Sequence, residues 1–413
     1  MPSFLLKIGL VGYFYLMIYK PEFVFIPISD NTFFGLLGFC YYLFQKRQRN
    51  EIIRNSSAFF SPILSLYIPV LLISFISMLI NQTEDYHYIS YVFSLVLYYF
   101  MAYLGAVGFY KIYGEITPRI LLKYYVIVAL IHVFLSLAMF ANSYLNDFMM
   151  SLLKQNDFEK EKLAITLGSR LQGFGAFFYT SGLINGFILI LIGIELFLNK
   201  GSVLFRVFLT FSFVAIFVIG IMIARTIMIG AFLGLLIIIY GMYKDAGHTF
   251  KNIAIYASAS IFVFLLGIVT MSRSGIDFEY ISEFGFEYIT KIQDGDTSSH
   301  SSDRMIEMYD VRPDNIKTWI IGDCMWQEGN HYYKRVDIGF LRNVFYFGAL
   351  GSFLLYLYNY LVLRKVFFKR KLFQKYSYSV VLVLFIYTMI LNLKGTVDLF
   401  YYVLPFYFCF NKK

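Results

Sequence analysis

Residues 207–243 read VFLTFSFVAIFVIGIMIARTIMIGAFLGLLIIIYGMY, and Arg225 is the only charged residue among them. An apolar run of about 17 residues lies on each side of that arginine, and a run of this length can cross the hydrocarbon of a bilayer as a helix. The stretch therefore predicts two membrane-spanning helices joined by a tight turn at Ala224-Arg225-Thr226.

Apolar runs of the same kind recur along the whole chain. Hydrophobic residues make up 59% of the sequence and charged residues 15%, a composition that excludes a water-soluble globular protein of 413 residues. The runs predict about twelve transmembrane helices in an all-α polytopic membrane protein. They lie at residues 4–19, 30–45, 58–80, 88–110, 120–141, 176–198, 203–222, 226–243, 253–271, 338–362, 377–393 and 395–410. Because of Pro21 and Pro27, the first two also fit a broken or re-entrant segment.

Short loops rich in lysine and arginine mark the cytoplasmic side of a membrane protein. Residues 46–54 and 364–375 form two such clusters, and both fall on the same side of the helix count. We therefore expect both termini in the cytoplasm and no cleavable signal peptide. The net charge of +9 then reflects orientation and contact with anionic lipids. The sequence has no basic strip with interleaved aromatic residues, so it does not predict nucleic-acid binding.

This topology divides the chain into three regions. Residues 1–271 carry helices one to nine, including an outer loop at 141–176, and residues 338–413 carry helices ten to twelve. Between them, residues 272–337 form a large outer loop that holds half of the chain's 26 Asp and Glu residues. The two outer loops are where we expect a functional site.

The sequence predicts no cofactor and no metal. It has no nucleotide-binding glycine motif and no His-Glu pair at helical spacing, and its 3 cysteines do not form a disulfide framework. Asp294 and Asp296 are too few oxygen ligands for a divalent cation.

The positions of the polar residues in the sequence distinguish a transporter from an enzyme. Transporters usually carry ionisable groups in the middle of helices. In this chain His132 and Arg206 are the clearest charges within the runs, and both lie close enough to a helix end to reach the membrane surface. This distribution favours an enzyme with a site at the outer surface.

Three arginines in or beside the outer loops are candidates for binding an anion. Arg170 is followed by Gly173 and Gly175, a pattern that fits either a phosphate cradle or a plain turn. Arg225 either marks the tip of its turn or points into an outer cavity. Arg304 is expected in the first turn of a helix capped by Ser302 or Asp303.

The end of the large loop carries further candidates. Asp337 precedes a predicted helix, where an acid is usually a cap, and Gly348 and Gly351 within that helix would allow a neighbouring helix to approach closely. Residues 320–323 predict a compact turn. Aromatic residues outside the apolar runs, which include Trp319, Trp326, Tyr332 and Tyr333, are candidates for stacking on sugars.

The order of these pieces resembles the O-antigen polymerases, which link lipid-carried oligosaccharide repeat units into long bacterial surface polysaccharides. The matching segments are Ser169-Arg170 with its glycines, Ala224-Arg225-Thr226, Ser301-Ser302-Asp303-Arg304, and Asp337-x-Gly339-x-Leu341 leading to Gly348-x-x-Gly351. The related O-antigen ligases have a histidine where this chain has Asp337, and the nearest histidine here is His331. That difference favours a polymerase over a ligase.

The resemblance implies a GT-C-like fold in the bacterial cytoplasmic (inner) membrane and glycosyl transfer at its outer face. The donor would be a glycan on polyprenyl (undecaprenyl) diphosphate, and the product an O-antigen or capsular polysaccharide. Arg170, Arg225 and Arg304 would bind the departing diphosphate, with Arg304 also counted as catalytic. Asp337 is the first choice for the base and His331 the second.

The implied partners are the lipid-linked oligosaccharide, the bilayer, a chain-length regulator and a flippase. Three other functions stay open. One is an O-antigen ligase, and another is a flippase or exporter of the same lipid-linked sugars. The last is a membrane acyltransferase, which would need a central histidine.

Overall fold

The computed structural model describes residues 2–155, 170–198, 202–244, 300–329, 331–368, 373 and 376–411. Within these ranges the chain is mostly helical, and six helices are long and apolar enough to cross a membrane. This agrees with an all-α membrane protein. The predicted helix at 253–271 lies outside the described residues.

In chain order the helices are α1 (Pro2–Tyr19), α2 (Asp30–Phe44), α3 (Lys46–Ser56), α4 (Ser61–Asn81), α5 (His87–Tyr113), α6 (Pro118–Ala141), α7 (Ser143–Ser151), α8 (Phe178–Leu198), α9 (Val203–Ile223), α10 (Ile227–Lys244), α11 (His300–Asp310), α12 (Ile316–Ile320), α13 (Gly339–Leu363), α14 (Ser377–Asn392) and α15 (Phe400–Val403). Strands β1 (Gln327–Glu328) and β2 (His331–Tyr332) form an antiparallel hairpin. The long apolar helices are α4, α5, α6, α8, α9 and α13, while α1, α10 and α14 contain shorter apolar segments.

The helices form two compact units. Unit 1 comprises Met1–Asp30 and Arg119–Thr297, and unit 2 comprises Asn31–Pro118 and Ser298–Lys413. In unit 1, α8 is buried along most of its length and packs against α9 and α10. The predicted turn at Ala224-Arg225-Thr226 is confirmed, since α9 ends at Ile223 and α10 begins at Ile227.

Glycines set the distance between α8 and α10. A Cβ atom on Gly230 would lie 2.3 Å from Cα of Gly186, so these two helices touch through their backbones. Such contacts between small residues are common where helices pack inside a membrane, because dispersion forces increase as backbones approach. The packing fixes the α9–α10 turn, and therefore Arg225, relative to α8.

The last predicted span, residues 395–410, is not one helix. The chain there forms the short α15 and then a 3-10 helix at Leu404–Phe408. Pro405 has no backbone N–H, so an α-helix cannot run through it without losing the bond to the carbonyl of residue 401. Phe410 instead pairs with Ile116 through two backbone hydrogen bonds of 2.8 and 3.1 Å.

Helix α13 is broken where a single helix over 338–362 is predicted. Phe347 (φ −136°, ψ 23°) and Gly348 (φ 70°, ψ −175°) leave the helical conformation. Such a break releases backbone carbonyls that need other partners away from water. The N–H of Asp323 donates to the carbonyl of Phe345 at 2.6 Å, and that of Cys324 to the carbonyl of Tyr346 at 2.9 Å. The residues after α12 thus replace the missing helical bonds.

The expected close approach of a neighbouring helix is found at Gly348 and not at Gly351. A Cβ on Gly348 would lie 2.1 Å from the carbonyl oxygen of Ile320, at the end of α12, and one on Gly351 would meet the Phe347 ring of its own helix. Gly322 (φ 82°) forms the predicted compact turn, and a Cβ there would lie 2.4 Å from the Tyr346 carbonyl. Glycine is needed because α12 packs directly on the broken backbone of α13.

Segments that the sequence assigns to the outer side meet at one end of each unit. In unit 1 the residues after α1 pair with those after α7, since the N–H of Val24 donates to Leu152 at 2.9 Å and that of Lys154 to Glu22 at 2.7 Å. In unit 2 the Asn81 amide donates to the carbonyl of Gly322 at 3.0 Å. These pairings are consistent with the predicted topology, and the sidedness of the termini stays a prediction.

Candidate functional site

The first candidate site surrounds Arg342, in the first turn of α13 in unit 2. Only 5% of this residue is exposed. Its guanidinium carbon lies 3.7 Å from the centre of the Trp326 ring and 3.6 Å from the centre of the Tyr332 ring. Aromatic rings therefore cover both faces of the guanidinium, an arrangement stabilised by cation–π attraction.

His87, at the start of α5, extends this arrangement. Its ring stacks on Trp326 with a centroid distance of 4.0 Å and an interplanar angle of 13°. His87 and Arg342 cannot share one face of the indole at these distances, so they lie on opposite faces. We call the four layers His87, Trp326, Arg342 and Tyr332 the aromatic stack. It occupies both faces of Trp326 and leaves no open face for a sugar.

The loop between α4 and α5 holds the aromatic stack in place. The N–H of Trp326 donates to the Asp85 carboxylate at 2.6 Å, and the hydroxyl of Tyr346 donates to the carbonyl of Asp85 at 2.7 Å. The hydroxyl of Tyr88 donates to the side chain of Asn343 at 2.6 Å. These bonds tie the large outer loop and the start of α13 to one short connection.

The N–H groups at the edges of the Arg342 guanidinium have fewer partners than its two faces. Nη1 lies 3.9 Å from Oδ1 of Asp337, a carboxylate that is 54% exposed. Nε and Nη2 are buried and have no hydrogen-bond partner within the described part of the chain. A buried cation without hydrogen-bonded anions costs several kcal/mol, so this edge favours the binding of an anion.

Asp337 and His331, the predicted proton acceptors, occupy different surroundings. Asp337 lies beside Arg342, and its backbone N–H contacts the sulfur of Met308 at 3.3 Å. Its neighbours Val336 and Ile338 are buried in a small apolar core with Phe345, which anchors this segment. The N-cap of α13 is Ile338, so Asp337 is not its cap. His331 lies on the exposed hairpin, opposite Glu328.

Arg304 and Trp319 remain predictions. Arg304 belongs to α11, but its side chain lies outside what the structure describes. That helix already includes His300, so Ser302 and Asp303 are inside it and are not caps as predicted. Trp319 lies on α12 and is 43% exposed.

Asp323 and Tyr333 connect α12 to the hairpin. Asp323 accepts hydrogen bonds from the Thr318 hydroxyl at 2.6 Å and from the Tyr333 hydroxyl at 3.3 Å. Burial, together with the neighbouring Asp323, raises the pKa of Tyr333 to about 12. The phenol therefore stays protonated, and its role here is structural.

The second candidate site contains Arg170 and Arg225, in unit 1. The backbone N–H of Leu171 donates to the carbonyl of Met222 at 3.0 Å, which fixes the loop before α8 beside the α9–α10 turn. The Arg170 guanidinium lies 3.9 Å from the centre of the Phe178 ring. Burial, and secondly the positive charge of Arg225, lower the pKa of Arg170 to about 10. The charges of two arginines from distant parts of the sequence thus act on each other here.

The glycines after Arg170 pack closely against other protein atoms. A Cβ on Gly173 would lie 2.2 Å from the carbonyl of Ala176, and one on Gly175 (φ 91°) would lie 2.6 Å from the carbonyl of Tyr19. Protein atoms fill the space that a side chain would need at these positions. Glycine is therefore required here by packing, and the anion-binding role of this loop stays a prediction.

His132 contradicts the expectation that it reaches the membrane surface. It is fully buried in α6. Its ring lies 3.3 Å from the hydroxyl of Tyr15 and 2.9 Å from that of Ser181, and it stacks on Tyr19 at 3.9 Å. The hydroxyl of Tyr19 donates to Asn185 at 2.6 Å. Because these partners satisfy its polar atoms, His132 is stable away from water.

The sequence reasoning missed Arg342 and His87. Arg342 is the only charged residue in the apolar run 338–362, and that isolated charge was the signal for a functional role. His87 carries no such signal, because its partner Trp326 is distant in the sequence. Comparison of the chain with protein-family models, with curated proteins and with solved structures finds no match.

Proposed function

We propose that the protein is a glycosyltransferase that joins polyprenyl-diphosphate-linked oligosaccharide repeat units into O-antigen or capsular polysaccharide at the outer face of the bacterial cytoplasmic membrane. The observation that carries this proposal is the backbone hydrogen bond from Leu171 to Met222, which holds the loop of Arg170 beside the α9–α10 turn that carries Arg225. Two guanidiniums that repel each other are stabilised by a ligand with more than one negative charge, and a diphosphate is such a ligand.

The proposed reaction needs no nucleotide. A hydroxyl of the acceptor sugar attacks the anomeric carbon of the donor glycan, and the bond between that carbon and the diphosphate oxygen breaks. The lipid diphosphate leaves with the bonding electrons, and the two arginines stabilise its developing charge. The acceptor proton passes to a base, which the sequence assigns to Asp337, with His331 as the second choice. Arg304 keeps its predicted role in diphosphate binding.

The test is the length of the surface polysaccharide in a strain that lacks the gene. The strain is complemented with the intact chain, Arg170→Ala, Arg225→Ala or the control Arg54→Ala, all at equal membrane levels. Arg54 is an exposed arginine on α3, in the other unit. We expect long chains with the intact protein and with Arg54→Ala, and short products with the other two. Losses of less than about threefold with both Arg170→Ala and Arg225→Ala would refute the diphosphate site.

A flippase for the same lipid-linked sugars is the second candidate, and one observation favours it. His132, Ser181 and Asn185 form a buried polar group within the apolar helices α6 and α8, and transporters often place polar residues inside their helices. In a deletion strain a missing flippase leaves no lipid-linked sugar at the outer face. A missing polymerase leaves single repeat units there, and a missing ligase leaves long chains on the lipid carrier.

A further inference from the structure

The open edge of Arg342 has the geometry of a specific anion-binding group. Nε–H and one N–H of Nη2 point in the same direction from the guanidinium plane, and together they match two oxygens of a carboxylate or phosphate. These are the two nitrogens that have no hydrogen-bond partner among the described residues. The edge that binds anions best is thus the one that the protein leaves unused.

The rest of the guanidinium is already occupied. Trp326 and Tyr332 cover its two faces, at 3.7 and 3.6 Å. Asp337 approaches only Nη1, at 3.9 Å, and this half-exposed carboxylate compensates little of the buried charge. Arg342 is therefore held rigidly in one orientation, and rigid orientation reduces the entropy that ligand binding costs.

Tyr332 covers one face of the Arg342 guanidinium and is itself partly exposed. It is 37% exposed and lies in the two-residue strand β2, whose partner strand is equally short and exposed. A hairpin of this size contributes little stability by itself. Rotation of the Tyr332 side chain uncovers one face of the guanidinium at the cost of its cation–π contact.

We propose that Arg342 binds an oxyanion substituent of the glycan substrate, with Nε and Nη2 donating to two of its oxygens. The substrate class is an acidic oligosaccharide that carries either a uronic acid carboxylate or a phosphate group. The inference rests on the proposed function for the identity of the ligand as a glycan. The site itself is defined by Arg342, Trp326 and Tyr332 within unit 2.

Intrinsic fluorescence tests this proposal directly, because the chain has 2 tryptophans and one of them contacts Arg342. In the full-length protein with Trp319→Phe, Trp326 is the only tryptophan. This solubilised protein is titrated with glucuronate, with inorganic phosphate and with glucose. We expect a saturable change with at least one of the two anions and none with glucose. A response to glucuronate alone identifies a carboxylate, and a response to phosphate alone identifies a phosphate group.

Two further variants assign the response to Arg342. Arg342→Lys keeps the positive charge but has no two-donor edge, so we expect the dissociation constant to rise about 10- to 100-fold. Tyr332→Ala keeps Arg342 and removes its cover, so anion binding should persist or strengthen. Tyr332→Ala also tests the site if Arg342→Lys fails to elute as a single species in size-exclusion chromatography.

The proposal is overturned if neither anion gives a saturable response. It is also overturned if glucose acts equally well, if Arg342→Lys binds with an unchanged dissociation constant, or if Tyr332→Ala abolishes binding. These outcomes are independent of the proposed polymerase activity. Polysaccharide length would still depend on Arg170 and Arg225 if only the acidic-glycan site were wrong.

Discussion

The guanidinium of Arg342 lies against the indole of Trp326, at 3.7 Å from the ring centre. This contact joins the first turn of the apolar helix α13 to the segment between α12 and β1. We predict that Trp326→Leu lowers the midpoint of thermal unfolding of the solubilised protein, because it removes cation–π attraction worth about 0.5 to 2 kcal/mol and the stacking on His87. Trp319→Leu is the control, since Trp319 is 43% exposed, and it should shift the midpoint by less than half as much. Equal shifts would contradict a structural role for the aromatic stack.

Arg170 and Arg225 should act together on one ligand. Each single substitution by alanine is expected to lower the rate of polymerisation about 10²- to 10³-fold, by comparison with the loss of other groups that stabilise a developing anion. Because both arginines would hold the same diphosphate, the double variant should lose much less than the product of the two single losses. Initial rates with a lipid-linked repeat unit in membranes measure this coupling. Strictly multiplicative losses would show that the two side chains serve different purposes.

The surroundings of Arg170 predict a pH effect in Arg170→Lys. Burial and the charge of Arg225 both favour the neutral form of a basic group, which is why the pKa of Arg170 falls to about 10. A lysine has a lower ordinary pKa than arginine, so in the same place it loses its proton at a lower pH. The activity of Arg170→Lys relative to the intact protein should therefore fall as the pH rises from about 7 to about 9. A pH-independent ratio would contradict this assignment.

Gly114 is the control for testing the broken helix at Gly348, and its conformation is the less demanding of the two, with ψ −8° compared with −175°. Both have positive φ, 70° and 72°, but a Cβ on Gly348 would lie 2.1 Å from a backbone oxygen, whereas one on Gly114 would meet nothing within 4 Å. Gly114→Ala should cost about 1 to 2 kcal/mol, the usual penalty for a left-handed residue with a side chain. Gly348→Ala should cost clearly more and accumulate poorly in the membrane. Similar membrane levels and unfolding midpoints would argue against the packing of α12 on α13.

A substitution of His132 tests whether this residue has a structural role or a role in transport. Replacing it with leucine removes its bonds to Tyr15 and Ser181. We expect a loss of stability of about 1 to 3 kcal/mol, because Ser181 loses a buried partner. At matched membrane levels, long polysaccharide should still form, and lipid-linked repeat units should still reach the outer face. Repeat units trapped inside the cell would instead support the flippase.

The sequence by itself determined most of the helices. The described helices from α4 to α10 begin and end within a few residues of the apolar runs that predict them, apart from the short α7. The reason is local, because a backbone in hydrocarbon must satisfy its hydrogen bonds internally and a helix does so with neighbouring residues. The same reasoning predicted the turn at Arg225 and the compact turn at Gly322.

Only the tertiary structure decided which side chains meet. The aromatic stack joins His87 to residues more than 230 positions later in the chain. The break at Gly348 depends on N–H groups of the loop after α12, which donate to carbonyls of α13. Neither follows from the local sequence, since packing between distant segments selects these contacts. The burial of His132 has the same origin, because its partners lie on α1 and α8. Apolar length thus fixed where the helices run, and long-range packing fixed where the charges are held.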